Sequence, residues 1–221
     1  MNPFDVIGPV MVGPSSSHTA GAVRLGRMAR AIAGGKPVAA RIGLHGSFAR
    51  TYKGHGTDVA VVAGLLGMDM DDEAIPCALS IAAERGLRVT FETVDLDGVH
   101  PNTAVIRVTN DAGATTEITG SSLGGGRIVV TSLDGFSVSL TGTYPTWIVH
   151  HLDRPGVVAS VAGALAAKNV NIGGMTVSRK RKGSLATSII EVDQAGPGDL
   201  MESLMVLPNV TGVRYIEPNA L

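Results

Sequence analysis

Four hydroxyl side chains and an imidazole stand in five consecutive residues at Ser15-Ser16-Ser17-His18-Thr19. Gly13-Pro14 ahead of them forces a turn, since proline fixes φ and glycine frees it. A helical pattern follows from Ala20, so the run falls where a helix begins. There, unpaired backbone N–H groups and the positive end of the helix dipole favour an anion. Each hydroxyl adds a donor, and His18 can act as acid, base or donor. A single serine before a helix is ordinarily a cap. The whole run points instead to a site for a carboxylate or phosphate.

Further stretches share this character. His45-Gly46-Ser47-Phe48-Ala49-Arg50-Thr51 puts imidazole, hydroxyl and guanidinium at the end of a predicted strand. Gly54-His55-Gly56-Thr57-Asp58 surrounds a histidine with glycines just before a predicted helix, so backbone can approach a ligand there. His100-Pro101-Asn102-Thr103 and Ser121-Ser122-Leu123-Gly124-Gly125-Gly126 fall in predicted turns between strands. A glycine-rich run alone is an ordinary turn, and a histidine beside glycine is commonly structural. Together they set four of the six histidines among Gly, Ser and Thr, which points to one small polar pocket. Hydroxyls, N–H donors and Arg50 would hold a small carboxylate. A histidine titrating near neutrality would take a proton from carbon or pass one to a leaving group; the residues leave open which histidine. His45 and His55 do not share a helix turn, so no metal-ligand spacing stands out. There is no P-loop and no G-x-G-x-x-G between strand and helix.

The elements that must position these residues read as α+β. A strand or turn over 4–12 leads into a helix over 19–33, with Ala22, Leu25, Ala29 and Ile32 on one face and Gly34-Gly35 ending it. Residues 38–48 read as extended, 58–66 as a buried apolar helix and 72–85 as a third helix closed by Gly86. Strands follow at 87–95, 103–110, 115–119, 127–132 and 135–141, with a hairpin turn at Asn110-Asp111-Ala112-Gly113. This gives three helices and a mostly antiparallel sheet over 1–143. Residues 141–146 read as a linker. Beyond it the chain repeats as strand 147–151, helix 155–168, strands 170–179 and 185–193, helix 198–206 and strand 210–217. That order over 147–221 is the ferredoxin-like β-α-β-β-α-β unit. Its basic turn, Arg179 to Gly183, reads as a solvated hairpin tip. Pro155 suits a first helical turn, and Gly156 leaves room for a ligand near Asp153. Asn171 and Ile172 are expected to face the same end, where a small amino acid would sit.

Composition narrows the function. With 44% hydrophobic and 17% charged residues in 221, a packed core is expected, and 29 glycines with 4% aromatics imply small side chains in close contact. A net charge of −1 without a basic run argues against nucleic acid as the main partner. No apolar stretch reaches membrane-spanning length and no signal-peptide pattern opens the sequence, so a cytoplasmic protein is expected. The single cysteine, Cys77, excludes an internal disulfide and a four-thiolate site within this sequence. Among Ile75, Leu79 and Ile81, Cys77 reads as a core thiol.

The run Ile7 to Gly21, with Gly46-Ser47-Phe48-Ala49, Thr51 to Asp58, His100-Pro101-Asn102-Thr103 and Gly124-Gly125-Gly126, resembles in order the beta chain of bacterial iron–sulfur L-serine dehydratases. Residues 148–217 resemble an ACT domain, a small amino-acid-sensing module. The resemblance implies conversion of L-serine to pyruvate and ammonia. It implies a [4Fe-4S] cluster acting as a Lewis acid, its cysteine ligands held by a partner alpha chain. It also implies His18 and His55 as proton-transfer residues, His18 on the substrate-facing wall, with the base open between them. Ser15, Ser16, Ser17 and Thr19 would line the carboxylate end, with Ser47, Thr57, Asp58, His100 and Asn102 completing the substrate site. Asp153, Pro155, Gly156, Asn171 and Ile172 would be the ACT effector site, and pairing of ACT or N-terminal domains would give a homodimer. A related fold serves as a non-catalytic, anion-binding regulatory domain in some phosphoglycerate dehydrogenases. That is the alternative function, and an amino-acid sensor without a partner is a third.

Overall fold

In the computed structural model, residues 10–218 are described. The chain divides into two compact units, one ending at Asp134 and the other beginning at Gly135. The predicted strand or turn over 4–12 lies mostly outside the described residues.

The first unit opens with a π turn, Ser16–Ala20, that runs into α1, Gly21–Ala33. The Ser15 carbonyl accepts from Thr19 N at 2.8 Å, and the Ser16 carbonyl accepts from Gly21 N. Such a widened turn is rare and recurs at functional sites. There follow β1 (Pro37–Leu44), α2 (Gly46–His55), α3 (Thr57–Leu66), a 3-10 turn (Ile75–Cys77), α4 (Ala78–Glu84), β2 (Arg88–Thr93), β3 (Thr103–Asn110), β4 (Thr115–Gly124) and β5 (Arg127–Leu133). Within this unit the strand order is β2-β1-β3-β4-β5, parallel between β1 and β2 and otherwise antiparallel.

Small residues let α1 sit tightly between sheet and helix. A methyl group at Gly26 would stand 2.2 Å from the Val61 carbonyl oxygen, and one at Gly64 2.0 Å from that of Val23, so α1 and α3 approach backbone to backbone. On the opposite side Leu25 fills the space over Gly120 of β4. Ala22, Leu25, Ala29 and Ile32 are buried as the helical pattern predicts, and α3 is buried almost throughout. Asn110 clasps the end of α1: its amide donates to the carbonyls of Ala33 and Gly34 at 3.0 Å, while its oxygen accepts from Ala112 N and Ala114 N in the predicted hairpin turn.

Three expectations are corrected. Residues 46–55 form a helix, not the end of a strand. Ser121-Ser122-Leu123-Gly124 continue β4 rather than forming a turn, and the turn is confined to Gly125-Gly126, at φ 61° and 75°. Cys77 is exposed, because the inward face of its segment is Ile75, Ala78 and Ala82, leaving Leu79 39% exposed as well.

The second unit contains β6 (Phe136–Leu140), β7 (Thr146–Leu152), α5 (Val157–Ala167), β8 (Ile172–Arg179), β9 (Leu185–Val192), α6 (Leu200–Met205) and β10 (Val210–Ile216). Its sheet runs β10-β7-β9-β8, all antiparallel, as the β-α-β-β-α-β pattern requires. Trp147, Val149, Val161, Leu165, Ile190, Leu204 and Val213 build its core. Pro155 precedes α5 rather than starting it; Gly156, at φ 89°, turns the chain into Val157. The basic tip Arg179 to Lys182 is exposed, as expected.

Candidate active site

Ser15 caps the π turn: its Oγ accepts from the His18 backbone N–H at 3.1 Å and lies 3.5 Å from His18 Nδ1. The other ring nitrogen, His18 Nε2, is 3.0 Å from Ser47 Oγ at the start of α2. The His18 ring meets Phe48 edge-on with centroids 5.3 Å apart. It lies 4.8 Å from the ring of His55. Thr19, buried behind the turn, donates its hydroxyl to the His55 carbonyl at 3.1 Å. Two imidazoles distant in sequence are thereby fixed against each other by side chains of one turn and one helix.

Each half of the site has a local cause. His55 ends α2, and Gly56, left-handed at φ 66°, joins that helix directly to α3. Only glycine takes this conformation without strain. Ser47 N donates to the Pro101 carbonyl at 2.8 Å, and Gly46 packs so closely on Pro101 that a methyl group would stand 2.6 Å from its oxygen. The loop carrying His100 and Asn102 is thus tied to the start of α2. His100 is exposed, its Nδ1 accepting from Asn102 N at 3.1 Å.

Burial, and secondarily the neighbouring His55, hold the His18 pKa below the ordinary imidazole value. Near neutrality His18 is therefore an uncharged imidazole able to accept a proton. His55 Nδ1 and Thr57 Oγ1 are buried with no hydrogen-bond partner among the described residues. Buried polar atoms are nearly always paired, so groups left open beside an imidazole pair mark a place for a ligand.

The sequence candidates divide accordingly. Ser15, His18, Thr19, Ser47 and His55 are joined by direct contacts, with Thr57 following His55 at the start of α3. Ser16 and Ser17 lie in the same π turn. The Asp58 carboxylate accepts from its neighbour Val59 N at 2.9 Å. Arg50 is exposed and, with His45, Asp95 and Pro101, lines a separate cavity of about 470 Å³. Among the described residues no hydrogen bond or ion pair joins it to His18. Phe48, to which the sequence assigns no role, also belongs to the site; its only signal is an aromatic next to Ser47 in a polar stretch. No group of three or more His, Cys, Asp or Glu suited to a metal ion occurs among the described residues.

In the second unit Asp153, Pro155 and Gly156 precede α5, whereas Asn171 and Ile172 follow it, so one chain holds the two sets at opposite ends of that helix. Asp153 accepts from Gly183 N at 2.9 Å and Arg179 at 2.8 Å, which lower its pKa. Asn171 donates to Asp193 at 2.7 Å. Among the described residues no helix is long and apolar enough to cross a membrane.

Comparison with known proteins agrees with this division. The family described as "Serine dehydratase beta chain" matches residues 4–85, and "ACT domain" matches residues 148–209. The Bacillus subtilis (strain 168) protein described as "Probable L-serine dehydratase, beta chain" is 48% identical over 96% of this chain and 96% of its own. The "L-serine dehydratase, beta chain" of Peptoniphilus asaccharolyticus is 34% identical over 97% of each. A Synechocystis sp. D-3-phosphoglycerate dehydrogenase is 28% identical over 86% of this chain but only 34% of its own. With both histidine stretches in place and relatives matched from end to end, the chain belongs to the family of L-serine dehydratase beta chains.

Proposed function

We propose that this chain is the beta subunit of an L-serine dehydratase, active with an alpha chain and converting L-serine to pyruvate and ammonia. The observation that carries the reading is the His18–His55 pair, 4.8 Å apart, with His18 held neutral by burial. Loss of the α-proton and of the 3-hydroxyl as water leaves 2-aminoacrylate, which tautomerises and hydrolyses to the products. A neutral imidazole is the group to take the α-proton, and a second imidazole beside it can relay that proton onward. Ser15 and Ser47 hold the His18 ring, and the hydroxyls of the π turn with Thr57 offer donors to a carboxylate. His100 and Asn102 complete the wall on the α2 side.

A [4Fe-4S] cluster does not fit the residues of this chain. Its one cysteine, Cys77, is exposed on the 3-10 turn. We assign the cluster to the alpha chain, where it would act as a Lewis acid on the 3-hydroxyl. In the proposed division 1–143 is the catalytic half and 147–221 the ACT half, which tunes activity by binding an amino acid or by pairing two copies.

The test is anaerobic activity on L-serine with this chain alone, then with a cysteine-rich alpha chain whose cluster has been reconstituted. Pyruvate from the pair and none from the single chain is the expected result. No pyruvate from an assembled, cluster-loaded pair overturns the reading. It would favour the second one, an anion-binding regulatory module, which the Synechocystis match supports. The facing imidazoles weigh against that module, since an anion site needs no proton acceptor.

A further inference from the structure

The face of α1 turned toward the β4–β5 hairpin carries a cation with no counter-ion among the described residues. Arg24 donates one N–H to the Gly126 carbonyl at 3.0 Å. Its Nε is buried with no partner, and no carboxylate pairs with it among the described residues. Arg27, one turn on, pairs with Asp69 and feels Arg24 as a like charge. Burial alone depresses the Arg24 guanidinium, with no acidic neighbour opposing the effect. A desolvated charge left alone is costly, and proteins ordinarily pair it.

Two hydroxyls share this face. Ser122 Oγ on β4 is fully buried and unpartnered, packed over Gly21 where a methyl group would stand 2.0 Å away. Ser17 faces the same hairpin, its Oγ 3.4 Å from where a methyl group at Gly124 would lie. Ser17 of the π turn, and Gly21 and Arg24 of α1, are spaced four and three apart, as one continuous helical face requires. A guanidinium with free N–H groups beside buried hydroxyls matches a planar oxyanion.

We propose that Arg24 and the hydroxyl of Ser122, bordered by Ser17 of the substrate-site turn, form a binding site for a carboxylate or similar small oxyanion. The free-acid arm does not rest on the dehydratase reading, the partner arm uses the proposed alpha chain, and neither needs turnover. The carboxylate is supplied either by a free small acid or by an acidic side chain of a partner.

The experiment titrates the full chain with pyruvate, and separately with inorganic sulfate, against chloride at matched ionic strength. Binding is read by calorimetry and thermal unfolding for the wild type, Arg24→Met, Arg24→Lys and Ser122→Ala. Saturable one-to-one binding is expected in the wild type, at least tenfold weaker in Arg24→Met, with Arg24→Lys between them. Ser122→Ala weakens it less. Without ligand, Arg24→Met should melt no lower than the wild type, because it removes an unpaired buried charge. A lower melting point with unchanged binding would make Arg24 a strut for the hairpin and overturn the site. Equal, non-saturating responses in all variants would reduce the effect to surface ions and overturn it too. If the wild type binds neither probe but Arg24→Met weakens association with the alpha chain, the free-acid source is ruled out and the partner supplies the carboxylate.

Discussion

His18 and His151 each present Nε2 to a serine hydroxyl at 3.0 Å, Ser47 in one case and Ser188 in the other. The rest of their surroundings differ. His151, 2% exposed in β7, also places Nδ1 2.9 Å from the Leu152 carbonyl. A carbonyl can only accept, so Nδ1 carries the proton, and both ring nitrogens are occupied. His18 has only Ser15 Oγ at 3.5 Å beyond Nδ1, the limit of a hydrogen bond, and faces a second imidazole. A histidine with both nitrogens satisfied specifies structure. One left partly satisfied beside another orphaned ring is available for chemistry.

The largest effect that would break this contrast is in turnover. His18→Ala and His55→Ala should each lower kcat of the assembled enzyme by about 10²–10⁴-fold, with circular dichroism and melting close to the wild type. His151→Ala should leave kcat of the folded enzyme near normal. Instead it should lower unfolding stability in urea by about 1–3 kcal/mol, by orphaning the Ser188 hydroxyl and the Leu152 carbonyl. A dead His151→Ala enzyme, or an unfolded His18→Ala chain, would erase the distinction.

Next in size is a test that the first unit takes its stability from close backbone packing and not from its histidines. Gly64→Val should cost about 1–3 kcal/mol or more in the same urea titration, since its Cβ would stand 2.0 Å from the Val23 carbonyl oxygen. A neutral result would mean α1 and α3 can part without loss.

A smaller effect sharpens the contrast through pH. Folded His18 titrates below the ordinary value of 6.5. The unfolded chain therefore takes up this proton first, and stability falls as pH drops from about 6.5 through the folded value, with no further change below it. His55→Gln removes one of the two depressing causes, so the NMR titration of His18 should move to higher pH. An unmoved curve would assign the depression to burial alone. The smallest effect belongs to Asp153, whose depressed pKa comes first from the Gly183 N–H and then from Arg179. Its contribution is lost as pH falls below 3.8 through the folded value. Asp153→Asn should thus lower the melting point by less than His151→Ala, and less still under acid.

Much of this was legible from residue type and spacing. The helical stripe of α1, the Asn110 hairpin and the β-α-β-β-α-β order follow from local pattern, whereas the pairing of His18 with His55 is implied only by family resemblance. Helix α2 did not, because Gly46, Phe48, Thr51, Tyr52 and Gly54 are weak helix formers and Phe48 is its one buried residue. It is held by one tertiary contact, the Pro101 carbonyl at its start, and by the local cap at Gly56, whose N–H donates to the Tyr52 carbonyl. The Gly120-Ser121-Ser122 stretch reads as a turn locally, yet it is a strand kept small so that α1 can lie on it. Cys77 is exposed despite its apolar surroundings in sequence, because Ile75, Ala78 and Ala82 take the inward face.

Gly56 is the whole of the connection between α2 and α3, and this has a consequence for how the chain can vary in length. His55 is the last residue of one helix and Thr57 the first of the next, so the segment has no slack to absorb an added or deleted residue. One residue inserted there would lengthen the connection, so that α2 and α3 no longer meet at a single left-handed residue and the spacing of His55 from Thr57 is lost. The exposed tip at Arg179 to Lys182 joins two antiparallel strands and can lengthen without moving either. Length changes are therefore expected to accumulate at such tips, while the interval between His55 and Thr57 stays fixed at a single glycine.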